Sequence, residues 1–416
     1  MQSHPGLFRI ALTSGWFLPV FAALAFAPVV VGISTYFEPD WAPHRPLMVF
    51  LQWALVVYFV GLIAAKKLTV VKPGLWVLLA AAVLVGVWVA SAQLNAVSKY
   101  WVNYYLARNF AILLIGWFVY STFVKRAGEH KRALIAALLA GSTLHILLSI
   151  VVIGVEAGNP DYDWKNFYVG VSHTRHLSYR AMIQIALAAG LFATSKEGRE
   201  RWAFAAALML GLYFACLVGG RSVIVIGTLV AIACALLGTP ELRRKNLPLV
   251  VAMAVAAVPL SMIYVPPDPH WGVIRLQLGY YGQSGEGEVA QGRVILWKRA
   301  LGQIPAHPWI GYGEGQFRLL ADVKWRVHHP HSSPLQFLVA WGVIGTLAAF
   351  ALFANAVFAG FKSILAKRET VLAPAALVVG LGTVSLIDGP FFYAYPAMVF
   401  VIACAMIKAA ADQPSA

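Results

Sequence analysis

The sequence predicts an all-α polytopic membrane protein of about twelve transmembrane helices, with a long, partly helical periplasmic loop before the tenth. Three observations carry this. The 416-residue chain is 60% apolar and 12% charged, where soluble domains carry about twice that charged fraction. Its mean hydropathy is +0.73. The basic residues behind a formal net charge of +15 stand in short clusters between apolar runs, as in cytoplasmic loops, which argues against nucleic acid as a partner.

Taking about 20 apolar residues per span, helices are expected near residues 14–36, 46–65, 74–94, 103–124, 132–157, 177–195, 202–219, 222–238, 248–266, 333–360, 371–387 and 391–409. The first run follows Arg9 without a small-residue cleavage site, so it is expected to stay as a helix. Gly219-Gly220-Arg221-Ser222 separates the seventh helix from the eighth, because a span read straight through would be too long for one bilayer. Cys216, Cys234 and Cys404 all lie inside apolar segments as small hydrophobes, so neither a disulfide framework nor a metal site follows.

Orientation comes from Lys and Arg. Lys66, Lys67 and Lys72 follow the second helix, Lys125, Arg126, Lys131 and Arg132 the fourth, and Lys196, Arg199 and Arg201 the sixth. Arg243, Arg244 and Lys245 follow the eighth, and Lys362, Lys367 and Arg368 the tenth. Every even-numbered exit is basic, which places these loops and both termini in the cytoplasm. The opposite face, the periplasm in a bacterium, receives Glu38-Pro39-Asp40, the region of Lys99, residues 156–175, the Arg221 turn, the 267–331 loop and the Asp388-Gly389-Pro390 turn. The chain therefore divides into 1–266 (helices one to nine), 267–331 (the loop) and 332–416 (helices ten to twelve). A loop of that length is usually functional. Within it, Gln291 to Ile304 has helical spacing, with Val294, Trp297, Leu301 and Ile304 on one face. Gly311, Gly313 and Gly315 mark a tight, irregular strip.

Polar residues collect at the outer edge. Arg175, His176 and Arg180 open the sixth helix, Arg221 sits in the turn before the eighth, and Arg293 heads the loop helix. His328, His329 and His331 lead into the tenth helix through Pro330, Ser332, Ser333, Pro334, Leu335 and Gln336. Guanidinium groups at such an edge can clamp phosphate or pyrophosphate, or snorkel to lipid headgroups. Imidazole suits a general base, since its ordinary pKa of about 6.5 lets it accept a proton near neutrality. His-His-x-His and Asp161/Asp163 are alternative metal ligands, but no pair has the one-face helical spacing of a zinc-enzyme motif. No metal or cofactor is therefore expected. Trp271, Trp297, Trp309, Trp325, Tyr280, Tyr281 and Tyr312 make the loop aromatic, as an interfacial belt, a loop core or a set of sugar-stacking faces.

These residues resemble the O-antigen ligase and polymerase superfamily of bacterial inner membranes. The family has a histidine followed by Asn, Ser or Gln, nine residues, then Gly, two residues, and Gly, Thr or Tyr. Here His331-Ser332 precedes nine residues and then Gly342-Val343-Ile344-Gly345. Gly292 to Trp297, Pro308 to Gly313 and Gly220-Arg221-Ser222 look like further family signatures. The resemblance implies a GT-C-like glycosyltransferase moving polysaccharide from undecaprenyl pyrophosphate to a sugar of lipid A–core oligosaccharide. It implies His331 as base and Arg221 and Arg293 on the diphosphate. Arg180, Arg175, His176, His329, Trp297 and Gln336, placed on the same outer side by the topology, are further candidate substrate-binding residues. Ser332 replaces the usual Asn. The diphosphate donor is already activated and no phosphate-cradling Gly-rich motif is present, so no nucleotide is expected. The alternatives are a repeat-unit polymerase, a protein O-oligosaccharyltransferase and, in another class, a transporter. Transport usually needs ionisable residues near mid-bilayer, and the spans are nearly free of them, with Arg108, near one end of the fourth helix, the main exception.

Overall fold

The computed structural model describes residues 17–37, 44–125, 128–165, 167, 169–171, 173–195, 198–268, 271–273, 288–323, 327–365 and 371–413. The described chain is helical: α1 Leu18–Phe37, α2 His44–Ala64, α3 Leu75–Leu94, α4 Lys99–Val124, α5 Gly128–Glu156, α6 Thr174–Thr194 and α7 Arg199–Leu217. There follow α8 Arg221–Leu237, α9 Pro240–Ser261, α10 Glu288–Gln303, α11 Phe317–Leu320, α12 Ser333–Leu365, α13 Leu372–Ile387 and α14 Ala394–Ala411. Apart from α10 and α11, each lies where a span is expected. Among the described residues, nine helices are long and apolar enough to cross a membrane; α8 and α13 are apolar but shorter. Phe26, Phe50, Val255 and Leu347 point outward and exposed, as suits helices whose outer solvent is lipid.

Helix boundaries depart from the apolar runs where capping chemistry sets the start. The ninth helix begins at Pro240, eight residues before the expected 248, because Thr239 Oγ1 accepts from Leu242 N and Pro240 occupies the first turn. Among the candidate spans of the described residues α6 is the most buried, and its small residues admit neighbours. A Cβ on Gly190 would lie 2.3 Å from Ala373 Cα of α13. Gln184, fully buried on α6, donates to Ala207 O of α7 at 3.0 Å and pairs with Thr143 of α5.

The loop helix exists, but its buried face differs from the expected one. Leu296 and Ala300 of α10 pack with Phe317 and Val339, whereas Val294 and Leu301 are exposed. The sequence is apolar on more than one side of this helix, and packing against α11 and α12 selects the side that carries Arg293, Leu296 and Ala300. Trp271 is loop core, donating to Trp164 O at 2.8 Å, while Trp309 is exposed. Tyr280, Tyr281, Trp325 and Glu38-Pro39-Asp40 lie outside the described residues.

The glycine strip docks into a break in α12. Gly342 has φ 59°, outside the helical region. The carbonyls freed there accept from the strip: Tyr312 N to Val339 O at 2.9 Å and Gly313 N to Ala340 O at 2.7 Å. In return Val343 N donates to Pro308 O at 2.8 Å and Ile344 N to Trp309 O at 3.1 Å. Non-helical backbone at this depth is tolerated because its polar groups are paired within the protein. Gly342→Ala puts a Cβ 2.3 Å from Trp309 C at a positive φ. It is expected to cost at least ~1–3 kcal/mol and to lower the thermal unfolding midpoint in detergent. Gly61→Ala, with nothing within 4 Å, is expected to leave that midpoint unchanged.

Candidate functional site

One end of the bundle gathers the N-termini of α6, α8, α12 and α14 and the C-terminus of α13. Asp388, just beyond α13, is its centre. The carboxylate is buried, and its Oδ1 lies 2.9 Å from His331 Nδ1 and accepts from Gly389 N at 2.9 Å. Oδ2 lies 3.9 Å from the Arg293 guanidinium, and the Tyr179 hydroxyl donates to the same carboxylate. Burial alone would push this carboxyl up. The hydrogen bond and charge of His331, with the nearby His329 and Tyr179, outweigh it and hold Asp388 well below the usual carboxylate range.

A carboxylate on Nδ1 makes that nitrogen the donor and leaves Nε2 of His331 as the proton acceptor. His331 is held there in a left-handed backbone conformation, φ 53°, uncommon for a residue with a Cβ although histidine is among those that adopt it. Its N–H donates to His329 Nδ1 at 3.2 Å. His329 Nε2 is therefore the protonated nitrogen, and it donates to the Tyr393 hydroxyl at 3.2 Å, which bonds in turn to His176 Nε2. One sequence of donors and acceptors thus runs from the His331 backbone to the top of α6. Gly389 makes room for it, since a Cβ there would lie 2.2 Å from His329 Nδ1.

His331, His329, Arg293 and His176 are thus brought together. Arg180 is buried one turn further into α6, its guanidinium 3.6 Å from the Tyr395 ring centroid. Arg221 begins α8 beside the same turn of α6, because Gly220 sits against Ser178, with a would-be Cβ at 2.6 Å. Arg175 lies on α6, its side chain outside the described residues. Trp297 is half-buried one turn along α10 from Arg293. Gln336 is turned elsewhere: it is buried, and its amide donates to Glu314. Ser332 O accepts from Gln336 N at 2.9 Å, which closes the first turn of α12. Sequence reasoning missed Asp388, Tyr393 and Tyr179, although Asp388 had been placed on the outer face. A lone Asp in an Asp-Gly-Pro turn reads as turn chemistry until its partner across 57 positions is known.

His329, His331 and Asp388 form the group of potential metal ligands among the described residues, their ligand atoms within 4.8 Å of one another. Both nitrogens of His329 and the Nδ1 of His331 are engaged in hydrogen bonds, which favours imidazole orientation over ligation. Asp161 and Asp163 are exposed and stand apart from this group.

Glu314, in the glycine strip, is buried against Gln336, and burial raises its pKa although the charge of Arg108 and the Gln336 hydrogen bond pull the other way. A raised folded pKa means that stability is fully present below the ordinary carboxyl value and is lost as pH rises through the folded one. Glu314→Gln fixes the neutral form. Its thermal midpoint is expected to exceed that of the parent near pH ~8 and to converge with it near pH ~4.

Residues 204–350 match the family described as O-antigen ligase. A stretch of 154 residues is 30% identical to the O-antigen ligase of Pseudomonas aeruginosa, covering 37% of this chain and 34% of that protein. The family match takes in Arg221, Arg293 and His331, and ends before Asp388 and Tyr393.

Proposed function

Because residues 204–350 match the family described as O-antigen ligase, we propose that this multi-pass membrane protein is a glycosyltransferase moving polysaccharide from undecaprenyl pyrophosphate to a sugar hydroxyl of lipid A–core oligosaccharide. The reaction takes place at the periplasmic face of a bacterial inner membrane, with both chain termini cytoplasmic. The observation that carries this reading is the 2.9 Å contact between His331 Nδ1 and the buried Asp388. It orients an imidazole whose other nitrogen is left to accept a proton.

In the proposed step the acceptor hydroxyl oxygen attacks the anomeric carbon while the bond from that carbon to the diphosphate oxygen breaks. His331 Nε2 takes the hydroxyl proton, and undecaprenyl pyrophosphate leaves with the bonding electron pair. One displacement inverts the anomeric configuration. Asp388 stabilises the imidazolium as it forms, without itself becoming protonated, as its depressed pKa favours. Arg293, on the other oxygen of Asp388, and Arg221, at the head of α8, stabilise charge on the departing diphosphate. The diphosphate is already a good leaving group, so the step draws on no metal, cofactor or nucleotide.

Reconstituted protein given lipid-linked polysaccharide and lipid A–core is expected to extend the core, with or without a chelator; longer donor chains and no core product would instead mean a polymerase. His331→Ala is expected to lower the rate by about two to four orders of magnitude. Asp388→Asn should approach the same loss, because an amide can donate to Nδ1 and force the proton onto Nε2. Near-normal transfer by a folded His331→Ala protein would remove this residue from the mechanism. Arg221→Lys and Arg293→Lys are expected to cost about tenfold or more in kcat/KM, since an ammonium cannot reproduce bidentate contact with a diphosphate. Full activity in either would return that arginine to a lipid-facing or structural role.

A further inference from the structure

Beside the histidines a cleft open to solvent runs between α1, α2, α4, α6 and the start of α14. Arg108 and Arg180 line it, along with Tyr104, Tyr105, Tyr179 and Tyr395. Both arginines lie well inside their helices, nine residues from the start of α4 and six from the start of α6. Their side chains are 3% and 5% exposed, so each is a cation held within the bundle, where charge is costly and generally serves a function.

Neither arginine forms an ion pair with a carboxylate among the described residues. Arg108 spends its donors on neutral acceptors, the Phe392 carbonyl and Asn109 Oδ1. Glu314, whose charge interacts with that of Arg108, accepts a hydrogen bond from Gln336 and makes no ion pair with the guanidinium. Arg180 rests against the Tyr395 ring, and its Nη1 has no hydrogen-bond partner among the described residues. Buried donors left in this state call for an acceptor. Arg180 keeps an unmet donor, and two buried guanidinium groups with no carboxylate ion pair among the described residues suit an anion, while the tyrosine faces offer flat apolar surface of the kind a sugar ring covers. Tyr393 lines the same cleft and is bonded to His329, which holds the His331 backbone.

We propose that this cleft is a binding site for an anionic sugar, one bearing a phosphate or a carboxylate, and that Arg108 and Arg180 recognise the charge. The assignment of that sugar to a substrate glycan rests on the transferase reading; the binding itself does not. A glycan anchored here would present its neighbouring residue to His331. The site would then select among glycans by charge, separately from the Arg221 and Arg293 pair assigned to the diphosphate.

The test is binding to the purified full-length protein in detergent, read by thermal unfolding. The probes are glucose 6-phosphate, glucuronate, glucose and inorganic phosphate. A rise in midpoint with one or both sugar anions, and little with glucose or inorganic phosphate, is the expected result. A stronger response to the phosphate ester would identify a phosphorylated glycan as the source, and a stronger response to the carboxylate a sugar acid. Arg180→Gln and Arg108→Gln should each weaken binding about tenfold, as loss of one charge-assisted contact would. Val171→Trp fills the half-buried lining of the cleft while keeping both arginines, and should abolish the response even if an arginine variant fails to fold. Equal shifts from glucose and its charged forms would overturn the proposal, as would an undiminished response in Val171→Trp. So would a response lost in Arg221→Lys but kept in Arg180→Gln. A protein that binds the anionic sugars yet transfers no glycan would refute the transferase reading and leave the cleft standing.

Discussion

A carboxylate buried at the mouth of an apolar bundle must be surrounded by donors, and the arrangement around Asp388 follows from that requirement. His331, Gly389, Tyr179 and Arg293 approach it from α12, the turn after α13, α6 and α10. Each is delivered by a different stretch of chain, so satisfying one acceptor draws four parts of the molecule together. The proton arrangement of His331 is a by-product of the same constraint: once Nδ1 serves the carboxylate, Nε2 is left for chemistry.

The break in α12 sets where that imidazole stands. A straight helix from residue 333 would have no free carbonyls at its middle and no place for the loop to dock. Gly342 interrupts it, and the strip through Tyr312 and Gly313 takes up the freed groups. The same strip carries Glu314 to Gln336 near the start of α12. Loop and helix are therefore registered to one another within a turn of His331, and α10 is carried along with Arg293 facing inward. Gly342 of the motif serves this docking and Gly345 admits Val87 of α3, while its histidine serves the proposed reaction.

Buried polar groups elsewhere divide by whether the fold satisfies them. Gln184 finds partners on α5 and α7 and works as a strut. Arg180, one turn before it on the same helix, retains an unmet donor beside an open cleft. The difference between the two is the physical basis for regarding one as architecture and the other as a binding group.

The apolar runs and the placement of Lys and Arg were enough to locate the helices, because hydrocarbon admits only segments that satisfy their own backbone. Motif spacing marked His331, Arg221 and Arg293 as candidates, and His331 and Arg293 both meet Asp388. What could not be read was every partnership that spans distant positions. Asp388 is an ordinary turn residue until α13 delivers it to His331, and Tyr393 is an ordinary aromatic until it meets His329 and His176. Gln336 looked available beside the histidines, yet it is turned toward Glu314, and α10 buries Leu296 and Ala300 rather than Val294 and Leu301. Hydrophobicity is a property of one residue and its near neighbours along the chain. Hydrogen-bond satisfaction is a property of pairs, and only the tertiary structure chooses the pairs.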